Sequence, residues 1–213
     1  MSGPDMADPD WLGWAREVQA IAQTGLAFNA AGYEHERYVA LQALAARMMA
    51  ARSAGDPGRV ETLFAGQNGY ATPKVDVRGA AFRDGKILLV REVADAHRWT
   101  LPGGWADVGL TAAENVCKEM REESGFQVVA RKLAAVWDRS RRGHVPQPFH
   151  AYKCFFICDI TGGVAATSAE TSEVGFFGEG AIPADLSHDR VLPQQIARMF
   201  AHWHDPARPT DFD

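Results

Sequence analysis

Leu101-Pro102-Gly103-Gly104-Trp105-Ala106-Asp107-Val108-Gly109-Leu110-Thr111 runs directly into Ala112-Ala113-Glu114-Asn115-Val116-Cys117-Lys118-Glu119-Met120-Arg121-Glu122-Glu123-Ser124-Gly125. Thr111 and Glu114 have the Thr-x-x-Glu spacing of a capping box, which starts a helix at Ala112, and Gly125 is placed to end it. Glu119, Glu122 and Glu123 then share one side of that helix, because residues three and four apart are neighbours. Ala113, Val116, Cys117 and Met120 form the adjoining apolar face. Three like charges so close repel at neutral pH, and divalent cations between them relieve the repulsion; Mg²⁺ or Mn²⁺ prefers such oxygen ligands. A Glu-rich helix face taken alone reads first as a solvated surface. The preceding Gly103-Gly104 pair favours the functional reading, since it lets backbone approach a phosphate closely.

Outward from this segment the chain reads as strands with helices packed on them. Val75 to Phe82 and Lys86 to Val90 flank Arg83-Asp84-Gly85, a hairpin signal. Apolar runs at 127–137 and 149–160 extend the sheet, Thr161-Gly162-Gly163 reads as a turn, and Val174 to Phe177 reads as a short strand. A closing helix from Pro193 to His204 presents Ile196, Met199, Phe200 and Trp203. The order implies an α+β or three-layer arrangement with a mixed sheet.

The first fifty residues read as a helical hairpin. Asp8 can cap a start at Pro9, with Trp11, Trp14, Val18 and Ile21 on one stripe. After a break at Asn29 to Gly32, a second helix from about Glu34 carries Tyr38, Leu41, Leu44, Ala45 and Met48, and it stops in the segment Ser53 to Gly58. A short helix follows at 59–65. The division expected is a helical domain and linker over 1–58 and a second domain over 59–213.

The chain has 213 residues and a net charge of −5. That charge argues against duplex nucleic acid as a partner. Cys117, Cys154 and Cys158 lie in apolar stretches and read as reduced core residues, not a disulfide framework. Neither a signal peptide nor a membrane span is legible, which suggests a cytoplasmic protein.

The central segment resembles the Nudix hydrolase signature: Gly, five residues, Glu, seven residues, Arg-Glu, an apolar residue, any residue, Glu-Glu, any residue, Gly and an apolar residue. This chain has Gly104, then Leu110, then Lys118-Glu119-Met120-Arg121-Glu122-Glu123-Ser124-Gly125-Phe126. Two positions depart from the pattern: Leu110 replaces Glu, and Lys118 replaces Arg. In the family these two positions form a supporting contact that orients the first metal-binding Glu, here Glu119. A lysine forfeits the bidentate geometry of arginine. It can still meet Glu122 one turn on.

Residues 10–52, with Trp11-Leu12-Gly13-Trp14-Ala15 and Ile21-Ala22-Gln23-Thr24-Gly25-Leu26, resemble the N-terminal helical extension of Nudix enzymes that hydrolyse nucleoside diphosphates linked to a second group X. Gly69 to Gly79 and Thr171-Ser172-Glu173-Val174-Gly175-Phe176-Phe177 are similar to the same subgroup. The resemblance implies a Nudix α/β/α sandwich behind a helical hairpin domain, and a Mg²⁺- or Mn²⁺-dependent homodimer. It implies Glu119, Glu122 and Glu123 as metal ligands, Gly103 and Gly104 as the phosphate loop, and Lys118 as their support. Glu173, or Glu170, would supply a further carboxylate. Arg78, Trp99, Arg139 and His144 are candidates for substrate contacts, each with a plainer reading as core or surface. The implied substrate is CDP-choline, giving CMP and phosphocholine; alternatives are ADP-ribose or another sugar nucleotide, and a weakly active nucleotide-binding sensor, which Leu110 would favour.

Overall fold

The computed structural model describes residues 9–28, 31–51 and 57–213. The expected Asp8 cap lies outside them, as do residues 29–30 and 53–56 of the two expected breaks. The chain divides into two compact units, one of residues up to Pro73 with Pro146–His150, the other of Lys74–Val145 with Ala151–Asp213. Among the described residues no helix is long and apolar enough to cross a membrane.

The first unit contains α1 (Asp10–Phe28), α2 (Tyr33–Ala50) and α3 (Pro57–Ala65). Leu12, Ala15, Ala45, Ala46, Met49 and Phe64 form its core, with Phe149 against them. The inward line of α1 is Leu12, Ala15, Gln19 and Ala22. The stripe expected from the large apolar residues is therefore rotated: Trp14 is 59% exposed and Ile21 53%. On α2 likewise Leu44 faces outward while Ala45, Ala46 and Met49 are buried. Small residues win the interface because they let two helices approach closely. At Gly25 an added Cβ would stand 2.3 Å from the Tyr38 ring.

The second unit contains β1 (Lys74–Arg83), β2 (Lys86–Glu92), β3 (Arg98–Thr100), α4 (Ala112–Ser124), β4 (Phe126–Asp138), β5 (Ala151–Gly163), β6 (Thr171–Gly178), α5 (Pro193–His204) and β7 (Asp211–Phe212). The strands form one mixed sheet in the order β3-β2-β1-β5-β4-β7, with β6 paired to β2. β1 runs parallel to β5 and antiparallel to β2. Asp84 and Gly85 take φ of 51° and 73° in the β1–β2 turn, as a tight hairpin of this type demands. Thr161 to Gly163 do not turn: Gly162 and Gly163 stay in β5, opposite Gln127 and Phe126. The ladder with β4 continues through both, and Gly163 closes the strand at φ 80°.

Alternation along the strands makes two cores. Val77, Ala81, Leu88, Phe156 and Cys158 face α4, meeting Val116 and Met120. Ala80, Ile87, Leu89 and Phe155 face the opposite side, where Ile196, Met199 and Phe200 of α5 cover them. The unit is thus the three-layer α/β/α arrangement expected, of class α+β.

Residues 102–106 run along the edge of β1. Gly79 N–H donates to Pro102 O (2.9 Å), Val77 N–H to Gly104 O (2.8 Å) and Ala106 N–H to Val75 O (2.9 Å). Gly103 sits in this ladder at φ 142°, where an added Cβ would stand 2.0 Å from Val77 O.

A buried charge cluster pins the start of the loop. The Asp76 carboxylate accepts from Arg78 Nε (3.0 Å) and Nη2 (2.8 Å) and from Lys153 Nζ (2.7 Å). Arg78 Nη1 donates to Leu101 O (3.1 Å). Burial would raise the Asp76 pKa, but Arg78 and Lys153 outweigh it and hold the carboxyl at about 2. Burial, with the charge of Arg78 beside it, brings Lys153 down to about 8 against the attraction of Asp76.

Two outcomes follow from this geometry. Gly103→Ala should lose about 1–3 kcal/mol of stability from the positive φ alone, before the carbonyl clash, in urea unfolding of the whole chain. Asp76→Asn, which strands two buried cations, should cost about 3–5 kcal/mol at neutral pH. Because the Asp76 pKa is lowered from 3.8 to about 2, its stabilisation is complete above pH 3.8 and is lost as pH falls through 2. The deficit of the variant should therefore shrink on acidification; a deficit independent of pH would contradict the assignment.

Candidate active site

α4 is positioned at both ends by the devices its sequence spells out. Glu114 N–H donates to Thr111 Oγ1 (3.2 Å) and Thr111 N–H to Glu114 Oε2 (2.8 Å), closing the capping box. Gly125 ends the helix at φ 77°, its N–H on Arg121 O. Val116 and Met120 are fully buried against the sheet, and Glu119 and Glu123 come out beside loop 102–106.

Their environments are graded. Glu123 is 4% exposed, and its Oε2 accepts the Gly103 N–H at 2.8 Å. Burial pushes its pKa up to about 7, with Arg78 and the Gly103 amide pulling the other way. The Glu119 side chain is 13% exposed. It lies so near Gly104 that an added Cβ there would be 3.2 Å from Glu119 Oε2. Burial raises its pKa too, against the pull of Lys118. The Glu122 side chain is 49% exposed. Backbone and carboxylates thus face each other without intervening side chains, which is what the two glycines permit.

Lys118 ties this face together. Its Nζ stands 3.1 Å from Asp107, 3.1 Å from Glu122 and 3.4 Å from Glu119. Hydrogen bonds to Asp107 and Glu122 hold its pKa above the ordinary lysine value.

Among the described residues no three His, Cys, Asp or Glu side chains are gathered closely enough to hold a metal ion by themselves. The donors present fit a cation that keeps much of its shell for water and phosphate oxygens, as Mg²⁺ does. Two observations support that fit: an ammonium is already stabilised between Glu119 and Glu122, and burial leaves Glu119 and Glu123 short of compensating positive charge.

The remaining candidates are placed elsewhere. Arg78 is buried under the loop, bound to Asp76, and its charge reaches Glu123 from behind. Trp99 is a core residue, edge-on to Phe177 with ring centroids 4.8 Å apart. Arg139 is buried and ion-paired to Asp189. His144 is buried, with Nδ1–H donating to His188 O (2.9 Å) and Nε2 accepting from Gln195 Nε2 (2.9 Å). Burial and the nearby Lys153 lower its pKa to about 3, so it is neutral. Glu173 lies on β6 opposite Arg91, which donates to it at 2.7 Å and to Asp185 at 3.1 Å. Glu170, in the bend just before β6 and exposed, is among the charges that raise the Glu119 pKa.

Sequence reasoning overlooked Asp107, Asn115 and Thr171. Thr171 Oγ1 donates to Glu123 O (2.7 Å), joining the start of β6 to the end of α4. Asn115 reads as an ordinary helix residue, and only its complete burial marks it.

Comparison with known proteins agrees with this geometry. Residues 9–64 match the family described as a UDP-X-like, N-terminal oligomerisation domain, and residues 73–195 match the NUDIX domain. YjhB of Bacillus subtilis (strain 168), provisionally named an ADP-ribose pyrophosphatase, is 46% identical over 95% of this chain and 97% of its own length. An ADP-ribose pyrophosphatase of Methanocaldococcus jannaschii is 31% identical over 58% of this chain and 73% of its own. Among solved structures, a UDP-X diphosphatase superimposes with a TM-score of 0.61 at 32% identity, covering 98% of this chain and 100% of that one. An ADP-ribose pyrophosphatase of Streptococcus suis gives 0.60 at 35% identity, over 67% of this chain and 100% of that one. With its capped glutamate helix, its glycine loop and its N-terminal helices, the chain belongs to the Nudix hydrolases, as a pyrophosphatase carrying the N-terminal helical domain.

Proposed function

We propose that this enzyme hydrolyses the pyrophosphate of a nucleoside diphosphate linked to a second group, with Mg²⁺ or Mn²⁺ held by Glu119, Glu122 and Glu123. The observation that carries the reading is the graded carboxylate face of α4 set against the side-chain-free backbone of Gly103 and Gly104. When bound, the cation would offset charge on the phosphate oxygens and acidify a water. Gly103 and Gly104 leave room for the diphosphate to approach the helix. Water then attacks one phosphorus, the P–O bond of the anhydride breaks, and the departing phosphate keeps the bond's electrons. A carboxylate accepts the proton of the attacking water. We take Glu170 before Glu173 for this role, because the Glu173 carboxylate is engaged by Arg91.

CDP-choline, yielding CMP and phosphocholine, remains a candidate from the resemblance of the whole chain. ADP-ribose is the second reading, favoured by the names of two sequence relatives and one structural neighbour. Product analysis on CDP-choline, ADP-ribose and a UDP-sugar with Mn²⁺ should give a nucleoside monophosphate in each productive case. Glu122→Gln and Glu170→Gln should each lower kcat, and Glu173→Gln should leave it close to wild type. A Glu173→Gln loss larger than that of Glu170→Gln would reverse the assignment of the base.

We also read the protein as a homodimer through its helical unit. Residues 9–64 match an oligomerisation domain, and α1 leaves Trp14, Ile21 and Phe28 exposed at seven-residue spacing, on one face. Ile21→Asp should shift the sedimentation of the protein from dimer to monomer; an unchanged dimer would place the interface elsewhere.

A further inference from the structure

The Lys118 ammonium is surrounded by three carboxylates from two elements. Glu119 and Glu122 belong to its own helix; Asp107 belongs to the loop before it. A lysine paired only along its helix is a weak and mobile contact. A carboxylate on the other side, from a separate and fixed segment, restricts where the ammonium can lie.

That segment is fixed by Asn115. The Asp107 N–H donates to Asn115 Oδ1 (2.8 Å), and Asn115 Nδ2 donates to Asp107 O (3.3 Å), Leu110 O (3.4 Å) and Thr111 O (3.2 Å). The whole turn from 107 to 111 is wrapped round one fully buried amide on the first turns of α4. Leu110 contributes only its carbonyl to this arrangement; its side chain has no polar atom to offer Lys118. The acid that opposes Lys118 therefore comes from three residues earlier in the loop.

We propose that Asp107 is a positioning residue: clamped by Asn115, it anchors Lys118, and Lys118 in turn holds Glu119 and Glu122 in the arrangement that receives the cation. The inference rests on the assignment of the α4 carboxylates as metal ligands. The network is open to solvent at Asp107, so its effect on stability is small; its consequence is the geometry and charge of the carboxylate pair.

Mn²⁺ binding measured by the loss of the free-ion EPR signal tests this without turnover. Asp107→Asn should weaken Mn²⁺ binding by roughly 10–100-fold, the usual range for groups that orient metal ligands, with an unchanged melting temperature in the absence of metal. Asp107→Glu should recover most of the affinity, and Leu110→Ala should match the wild type. Wild-type affinity in Asp107→Asn, or an Asp107→Glu as impaired as Asp107→Asn, would overturn the proposal. Glu122→Gln separates the two layers: binding lost there but kept in Asp107→Asn sinks only the positioning role. A wild type that binds no Mn²⁺ overturns the metal assignment and this inference with it.

Discussion

The backbone ladder between residues 102–106 and β1 is what brings chemistry to this fold. It requires Gly103 to lie against Val77 O where no Cβ fits, and it turns the Gly103 N–H toward Glu123. A short loop is thereby held on both sides, by a strand on one and by a glutamate of α4 on the other. Burial costs in this region are met in pairs: Asp76 with Arg78 and Lys153 beneath the loop, the Gly103 amide with Glu123 beside it. Glu123 and Glu119 remain under-compensated, and that residual demand for positive charge is the electrostatic basis of the proposed cation site.

Several buried polar groups near the site serve the scaffold. Arg78, Arg139 and His144 look like substrate contacts when seen as isolated charges on a line of sequence. In three dimensions Arg78 ties β1 to Leu101 O, Arg139 ties to Asp189, and His144 is satisfied at both nitrogens and neutral. Of these, Arg78 acts on the site, through its charge on Glu123 and its bond to Leu101 O. Glu122 and Glu170, in contrast, remain exposed.

Much of the architecture was legible because it depends on local chemistry. The Thr111–Glu114 box, the Gly125 stop, the Asp84–Gly85 hairpin and the helix from Pro193 to His204 are all written in a few adjacent residues. What was not legible depends on partners distant in sequence. β3 and β7 are too short to carry a period. The inward face of α1 was misread because Trp14 and Ile21 outweigh Ala15 and Ala22 in any count of apolar bulk, while close helix approach selects the alanines. The same limit hid part of the site. The spacing of Glu119, Glu122 and Glu123 is visible along the helix, but their unequal burial comes from β1 and the loop. Asp107 and Asn115 meet through a turn whose shape no spacing rule describes.

Anomalous diffraction from crystals soaked in Mn²⁺ would examine the proposed cation site directly. A peak beside the carboxylates of Glu119, Glu122 and Glu123, facing Gly103 and Gly104, is the result expected. A site occupied elsewhere in the molecule, with that face of α4 free of metal, would contradict it.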